Sequence, residues 1–147
     1  GKSVWAMIDT ETRQPQNILA IRDGEIERYI EKDKECPIEG LSRVKMGKEA
    51  KLARTIDTYY CDVDVNGHIN SIKYIEHILD LFDIDHYRKF RIRRFDIAYV
   101  AESYCGDKLN FYTEERDDNT VCVRVTKTNA ETVDAEVVRC MLKFEKI

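Results

Sequence analysis

At 147 residues, 43% of them hydrophobic and 35% charged, the chain fits one globular domain with room for a sizeable core and is not a disordered polymer. The formal net charge of −4 argues against a nucleic-acid binder. No apolar run approaches the roughly 20 residues of a membrane helix, and no basic start followed by an apolar stretch marks a secretory signal. The five cysteines, Cys36, Cys61, Cys105, Cys122 and Cys140, are odd in number and lack a C-x-x-C pair. They read as reduced thiols of a cytoplasmic protein, neither a disulfide framework nor a zinc site.

Residues 3–8 read as a short strand, followed by a polar loop over 9–16 that holds one of the two prolines. Residues 17–31 have mixed helical character, with Ile18, Leu19, Ile21 and Ile26 apolar. Residues 32–50 are charged, contain Pro37, Gly40 and Gly47, and read as irregular. The first 50 residues therefore resemble an end piece and a connector more than a core.

From residue 51 the pattern changes. Residues 51–60 alternate weakly and predict a strand, and 61–70 a polar turn. Over 71–87, Ile72, Ile75, Ile78, Leu79 and Phe82 take the spacing of one buried helix face, with Asn70 as the N-cap. Strands are expected over 93–101, 107–114, 120–128 and 133–145. The turns between them are Gly106-Asp107, Asp117-Asp118-Asn119 and Asn129-Ala130-Glu131. The expected fold class is α+β: an antiparallel sheet of about five strands around one long helix.

The chemistry-bearing segment is Asp62-Val63-Asp64-Val65-Asn66-Gly67-His68-Ile69-Asn70. Its polar residues alternate and lead into the helix start, where backbone N–H groups can stabilise a developing oxyanion. The same residue types are also ordinary turn and cap residues, and spacing alone does not separate the two readings. Glu102, by position alone, is equally a solvent-facing acid. His77 and His86, the other histidines, are spaced so that they do not share one helical face.

The run Asp64-Val-Asn66-Gly-His68-Ile-Asn70, followed by Ser71, Ile72, Lys73, Tyr74 and Ile75, resembles the active-site motif of acyl-acyl-carrier-protein (ACP) thioesterases, approximately D-x-N-x-H-x-N-N-x-x-Y. The departure is Ser71 in place of the second Asn. Tyr99-Val-Ala-Glu102 with residues 103–107 resembles the strand bearing that family's catalytic glutamate. Residues 3–13 resemble the strand that closes its first hotdog domain. The resemblance implies a hotdog fold with three parts: residues 1–14 as the terminal strand of a preceding hotdog domain, 15–50 as a linker, and 51–147 as the catalytic C-terminal hotdog domain.

It also implies hydrolysis of a fatty acyl-ACP thioester, with Asp64, Asn66, His68 and Glu102 catalytic. Backbone N–H groups at His68, Ile69 and Asn70 are expected to form an oxyanion site. Some plant members carry cysteine directly after the glutamate, where this chain has Ser103, so a covalent cysteine route is disfavoured over a water mechanism. No metal or organic cofactor is implied. The implied partners are acyl carrier protein and, for this chain, a second copy in a homodimer.

The basic cluster Arg88, Lys89, Arg91, Arg93 and Arg94 has two readings: steering an acidic carrier, or complementing the helix macrodipole. Acyl-CoA hydrolysis and a non-catalytic carrier-binding or dimerisation module are the alternative functions.

Overall fold

The computed structural model describes residues 1–40, 43–47, 49–116 and 119–147. The chain divides into two compact units, residues 1–42 and 43–147.

In the first unit, strands β1 (Met7–Ile8) and β2 (Pro15–Gln16) pair antiparallel. The strand expected over 3–8 is thus confined to its last two residues. The turn beyond is closed by the Asp9 carboxylate, which accepts from the Thr12 N–H at 2.7 Å and the Glu11 N–H at 3.0 Å. These bonds, led by the Thr12 N–H, hold the Asp9 carboxyl below the usual carboxylate range. Asn17 then caps a 3₁₀ stretch, Ile18–Tyr29, which is interrupted by non-helical backbone at residues 21–24. Trp5, Ile18, Leu19, Ile21 and Ile26 are exposed, and no described residue of this unit is buried.

The second unit is built on five antiparallel strands: β3 (Lys51–Asp57), β4 (Phe90–Tyr99), β5 (Lys108–Arg116), β6 (Thr120–Thr128) and β7 (Ala135–Lys146), in the order β3-β5-β6-β7-β4. Of the turn expected at 117–119, Asp117 and Asp118 lie outside the described residues, as do residues 41, 42 and 48 of the expected connector. The unit begins at Arg43, inside that connector, because Val44 is buried and the Gly47 N–H donates to Glu114 Oε2 on β5 at 2.6 Å.

Alternation places Leu109, Phe111, Val123, Val125, Cys140, Leu142 and Phe144 on one face of the sheet. Helix α1 (Ser71–Leu79) contributes Tyr74 and Ile78 to the same core. Helix and sheet faces bury each other, the hotdog arrangement that the motif resemblance implies.

The single long helix expected over 71–87 is corrected: it breaks into α1 and α2 (Ile84–Lys89). Asp80 closes α1. The N–H groups of Leu81 and Phe82 then turn back to the carbonyls of Ile78 and Leu79, each at 3.2 Å. Asp83 caps α2 by accepting from the His86 N–H at 2.7 Å. Aspartate is a poor interior helix residue because its short carboxylate competes for backbone N–H groups. The Tyr87 hydroxyl also donates to the Leu79 carbonyl, at 2.8 Å, and bridges the break. Among the described residues no helix is long and apolar enough to cross a membrane.

Candidate active site

Two loops at one end of the sheet form the site. The first, between β3 and α1, is tied by an isolated bridge between Val63 and Ile69. Asp64 organises it. Its N–H donates to the His68 carbonyl at 2.8 Å, its own carbonyl accepts from Gly67 N–H at 3.1 Å, and its Oδ1 accepts from the N–H groups of Asn66 at 2.8 Å and His68 at 3.2 Å. Gly67 turns the loop at φ +81°, a conformation open to glycine but strained for other residues. The Asp64 carboxylate therefore orients both Asn66 and His68 through their backbone. Asn70 caps α1 as expected, its Oδ1 accepting from Ile72 N–H at 3.0 Å.

The second loop runs from the end of β4 to β5. The expected strand 93–101 ends at Tyr99, so Glu102 sits in this loop. The loops join through a His68–Tyr104 bridge and a bond from Ile69 N–H to the Ser103 carbonyl at 2.8 Å. That pairing brings His68 Nε2 to 3.5 Å from Glu102 Oε2, with the side chains 26% and 41% exposed. The pair is thus partly sheltered yet open to solvent, an arrangement that can exchange a proton with a bound molecule. Of the other expected residues, Asn66 lies exposed in the same turn as His68. Its side chain makes no hydrogen bond among the described residues and is free to meet a ligand.

The three backbone N–H groups expected to form an oxyanion site are engaged within the fold. The His68 N–H is bound to Asp64, the Ile69 N–H to the Ser103 carbonyl, and the Asn70 N–H to the Asp62 carbonyl at 2.8 Å. Pairing between the two loops and within the turn consumes all three donors.

Several neighbours escaped the sequence reading. The Tyr104 hydroxyl donates to Glu102 Oε2 at 3.3 Å, and its ring meets the His68 ring edge-on at 5.3 Å. Lys127, near the end of β6, donates to the Glu102 carbonyl at 2.8 Å and lies 5.4 Å over the Tyr104 ring. Asp107 supports the loop from beneath, accepting from Tyr104 N–H at 2.9 Å and Asn129 Nδ2 at 2.7 Å. Tyr104 was legible only as a neighbour of Glu102. Lys127 carried no signal, because its role follows from strand register.

Ser103 is buried, and its hydroxyl is bonded to that of Tyr74 on α1, whose ionisation burial pushes up. A serine so enclosed is not presented as a nucleophile. One turn further along α1, His77 Nε2 lies 3.7 Å from the buried Asp62 carboxylate.

The basic cluster is divided between α2 and β4 and largely neutralised. Arg88 pairs with Asp85 at 2.7 Å, Arg91 with Glu145 at 2.5 Å, Arg93 with the same glutamate at 3.8 Å, and Arg94 with Asp96 at 2.6 Å. Arg88 and Lys89 occupy the last turn of α2, where cations complement the helix terminus.

A profile of the family described as "Acyl-ACP thioesterase C-terminal domain" matches residues 45–146. The palmitoyl-acyl carrier protein thioesterase of Arabidopsis thaliana is 30% identical over 109 residues, covering 72% of this chain and 26% of that relative. A crystal structure of an acyl-ACP thioesterase from Bacteroides thetaiotaomicron superposes with a TM-score of 0.80 at 46% identity, over 94% of this chain and 53% of the other. The 12:0-ACP thioesterase from Umbellularia californica superposes at 0.74 with 20% identity, over 95% of this chain and 53% of its own, a likeness of fold. The chain spans about a quarter of the curated relative and about half of each solved structure. With the profile covering the whole sheet and both site loops, the chain belongs to the acyl-ACP thioesterase C-terminal domain family.

Proposed function

We propose that this chain carries the working site of a fatty acyl-ACP thioesterase and cleaves the thioester by direct attack of water. The observation behind this reading is the approach of His68 Nε2 to Glu102 Oε2 at 3.5 Å, in a chain of this family. Glu102 takes a proton from water as its oxygen bonds to the thioester carbonyl carbon. The carbon–sulfur bond then breaks, the proton passes through His68 to the departing thiolate, and the free fatty acid remains. Because the neighbouring backbone N–H groups are spent within the fold, the exposed Asn66 amide is assigned to the carbonyl oxygen. Asp64 holds the turn that presents Asn66 and His68. Release of fatty acid from a panel of acyl-ACPs tests the proposal. Release abolished by Glu102→Gln supports it, and no release by a folded chain would make a carrier-binding module the better description. Faster turnover of acyl-CoA than of acyl-ACP would transfer the reading to the CoA substrate.

The proposed partner is acyl carrier protein. The neutralised state of the Arg88–Arg94 cluster favours a structural role for it, so salt-insensitive carrier binding is expected. Pairing of two copies is the proposed assembly; sedimentation as a 17.3 kDa species alone would oppose it. A cytoplasmic location is proposed from the odd cysteine count and the lack of a C-x-x-C pair.

A further inference from the structure

The sheet face turned away from α1 carries a charged cavity of about 510 Å³, lined by Arg43, Lys45, Met46, Arg124, Glu136 and Arg139. Arg124 and Arg139 alternate with the core residues Val123, Val125, Val138 and Cys140, so they project from the outer face. Strand register sets them directly opposite one another on β6 and β7. Two like charges at opposed positions repel, and a fold keeps such a pair where something compensates it. For Arg139 that is Glu136, whose Oε1 accepts from the guanidinium Nε at 2.5 Å.

Arg124 is compensated less well. Its guanidinium lies 4.8 Å over the Tyr112 ring, and its Nε is buried without a hydrogen-bond acceptor among the described residues. Asp134 acts on it electrostatically, but that carboxylate accepts from the Thr126 hydroxyl at 2.5 Å and the Tyr112 hydroxyl at 2.9 Å. Lys45 and Arg43 add two cations from the segment across the cavity. That segment is tied to the sheet: Arg116 donates to the Lys45 carbonyl, and the Gly47 N–H donates to Glu114. The result is an anchored rim, a cavity with four cations against one carboxylate, and a guanidinium with an unused donor.

We propose that this cavity is a binding site for a phosphate or diphosphate group. Guanidinium groups present paired donors that match phosphate oxygens, and a multiply charged anion offsets the surplus that a single carboxylate leaves. The site lies on the opposite sheet face from the core and is independent of the thioesterase reading.

Isothermal titration of the full chain with inorganic diphosphate, and separately with adenosine 3′,5′-bisphosphate, tests this at about 0.15 M salt, where loose surface attraction is screened. Saturable one-to-one binding is expected. Arg124→Gln and Lys45→Gln should each weaken it about tenfold, the loss of one charge-assisted bond. Lys45 is exposed, so its variant reports on binding even if Arg124→Gln fails to fold. Tighter binding of the bisphosphate would identify an organic phosphate as the ligand; equal binding would assign recognition to the phosphate group itself. Absence of saturation, or equal weakening by Arg88→Gln outside the cavity, would overturn the proposal.

Discussion

His68 Nε2 and Glu102 Oε2 stand 3.5 Å apart because a backbone bridge between His68 and Tyr104 splices two loops that are distant in sequence. The pair is therefore expected to act as a unit. His68→Ala and Glu102→Gln should each lower kcat by about a hundredfold or more, the range for loss of a positioned acid or base. The double variant should be little worse than the weaker single one. Fully multiplicative losses would show that the two act separately.

Tyr104 and Lys127 hold Glu102 from opposite ends, one at the carboxylate and one at the backbone carbonyl. Tyr104→Phe and Lys127→Met should each reduce kcat by about tenfold, from one lost bond to a charged or positioned group. KM should stay within about twofold on the same argument. A change confined to KM would place both residues in substrate binding instead.

Gly67→Ala separates backbone conformation from packing. A Cβ there meets no atom within 4 Å, so any cost comes from φ +81° alone. The expected loss is about 1 kcal/mol in a denaturant titration, together with reduced turnover, because the strained turn carries Asn66 and His68. Unchanged stability and activity would mean the loop readily adopts another shape.

Ser103 and Tyr74 share a buried hydroxyl pair. Tyr74→Phe leaves the serine without that partner and should cost about 1–3 kcal/mol, read from the unfolding midpoint. Ser103→Ala should keep most of the turnover. If Ser103→Ala abolished activity while Glu102→Gln spared it, a covalent serine route would replace the water mechanism.

The thiols should fall into two classes. Cys36, Cys61 and Cys105 are exposed; Cys122 and Cys140 are buried, and burial pushes both thiols up, Cys140 the more strongly. The thiolate is the reactive form, so at mildly alkaline pH three cysteines should react quickly with an aromatic disulfide reagent and two only after denaturation. Five equivalent fast reactions would contradict the packed sheet.

The elements that were legible in the sequence are those with a repeating pattern. Alternation in 120–128 marks β6 at its observed bounds, because a sheet with one buried face imposes period 2. The helical spacing from Ile72 to Phe82 marks the helical region, but the break at Asp80–Asp83 was hidden, since Phe82 remains in the apolar pattern after the backbone has left the helix. Arg88 to Arg94 reads as one basic patch along the chain, yet its carboxylate partner Glu145 arrives from the far end of β7 through register.

The sequence by itself determined the local chemistry: a turn containing Asp64, Asn66, Gly67 and His68, capped into a helix by Asn70, with family membership written in that motif. Each of those features is decided by residues within a few positions, where side-chain oxygens and the glycine backbone act on their own neighbourhood. Only the tertiary structure decided that Glu102 meets His68, that Lys127 and Tyr104 hold it, that the helix-start N–H groups are already spent, and that Arg124 faces Arg139. Those relationships depend on which loop and which strand lie side by side. Strand register sets that, and a shift of one residue would send every such side chain to the other face.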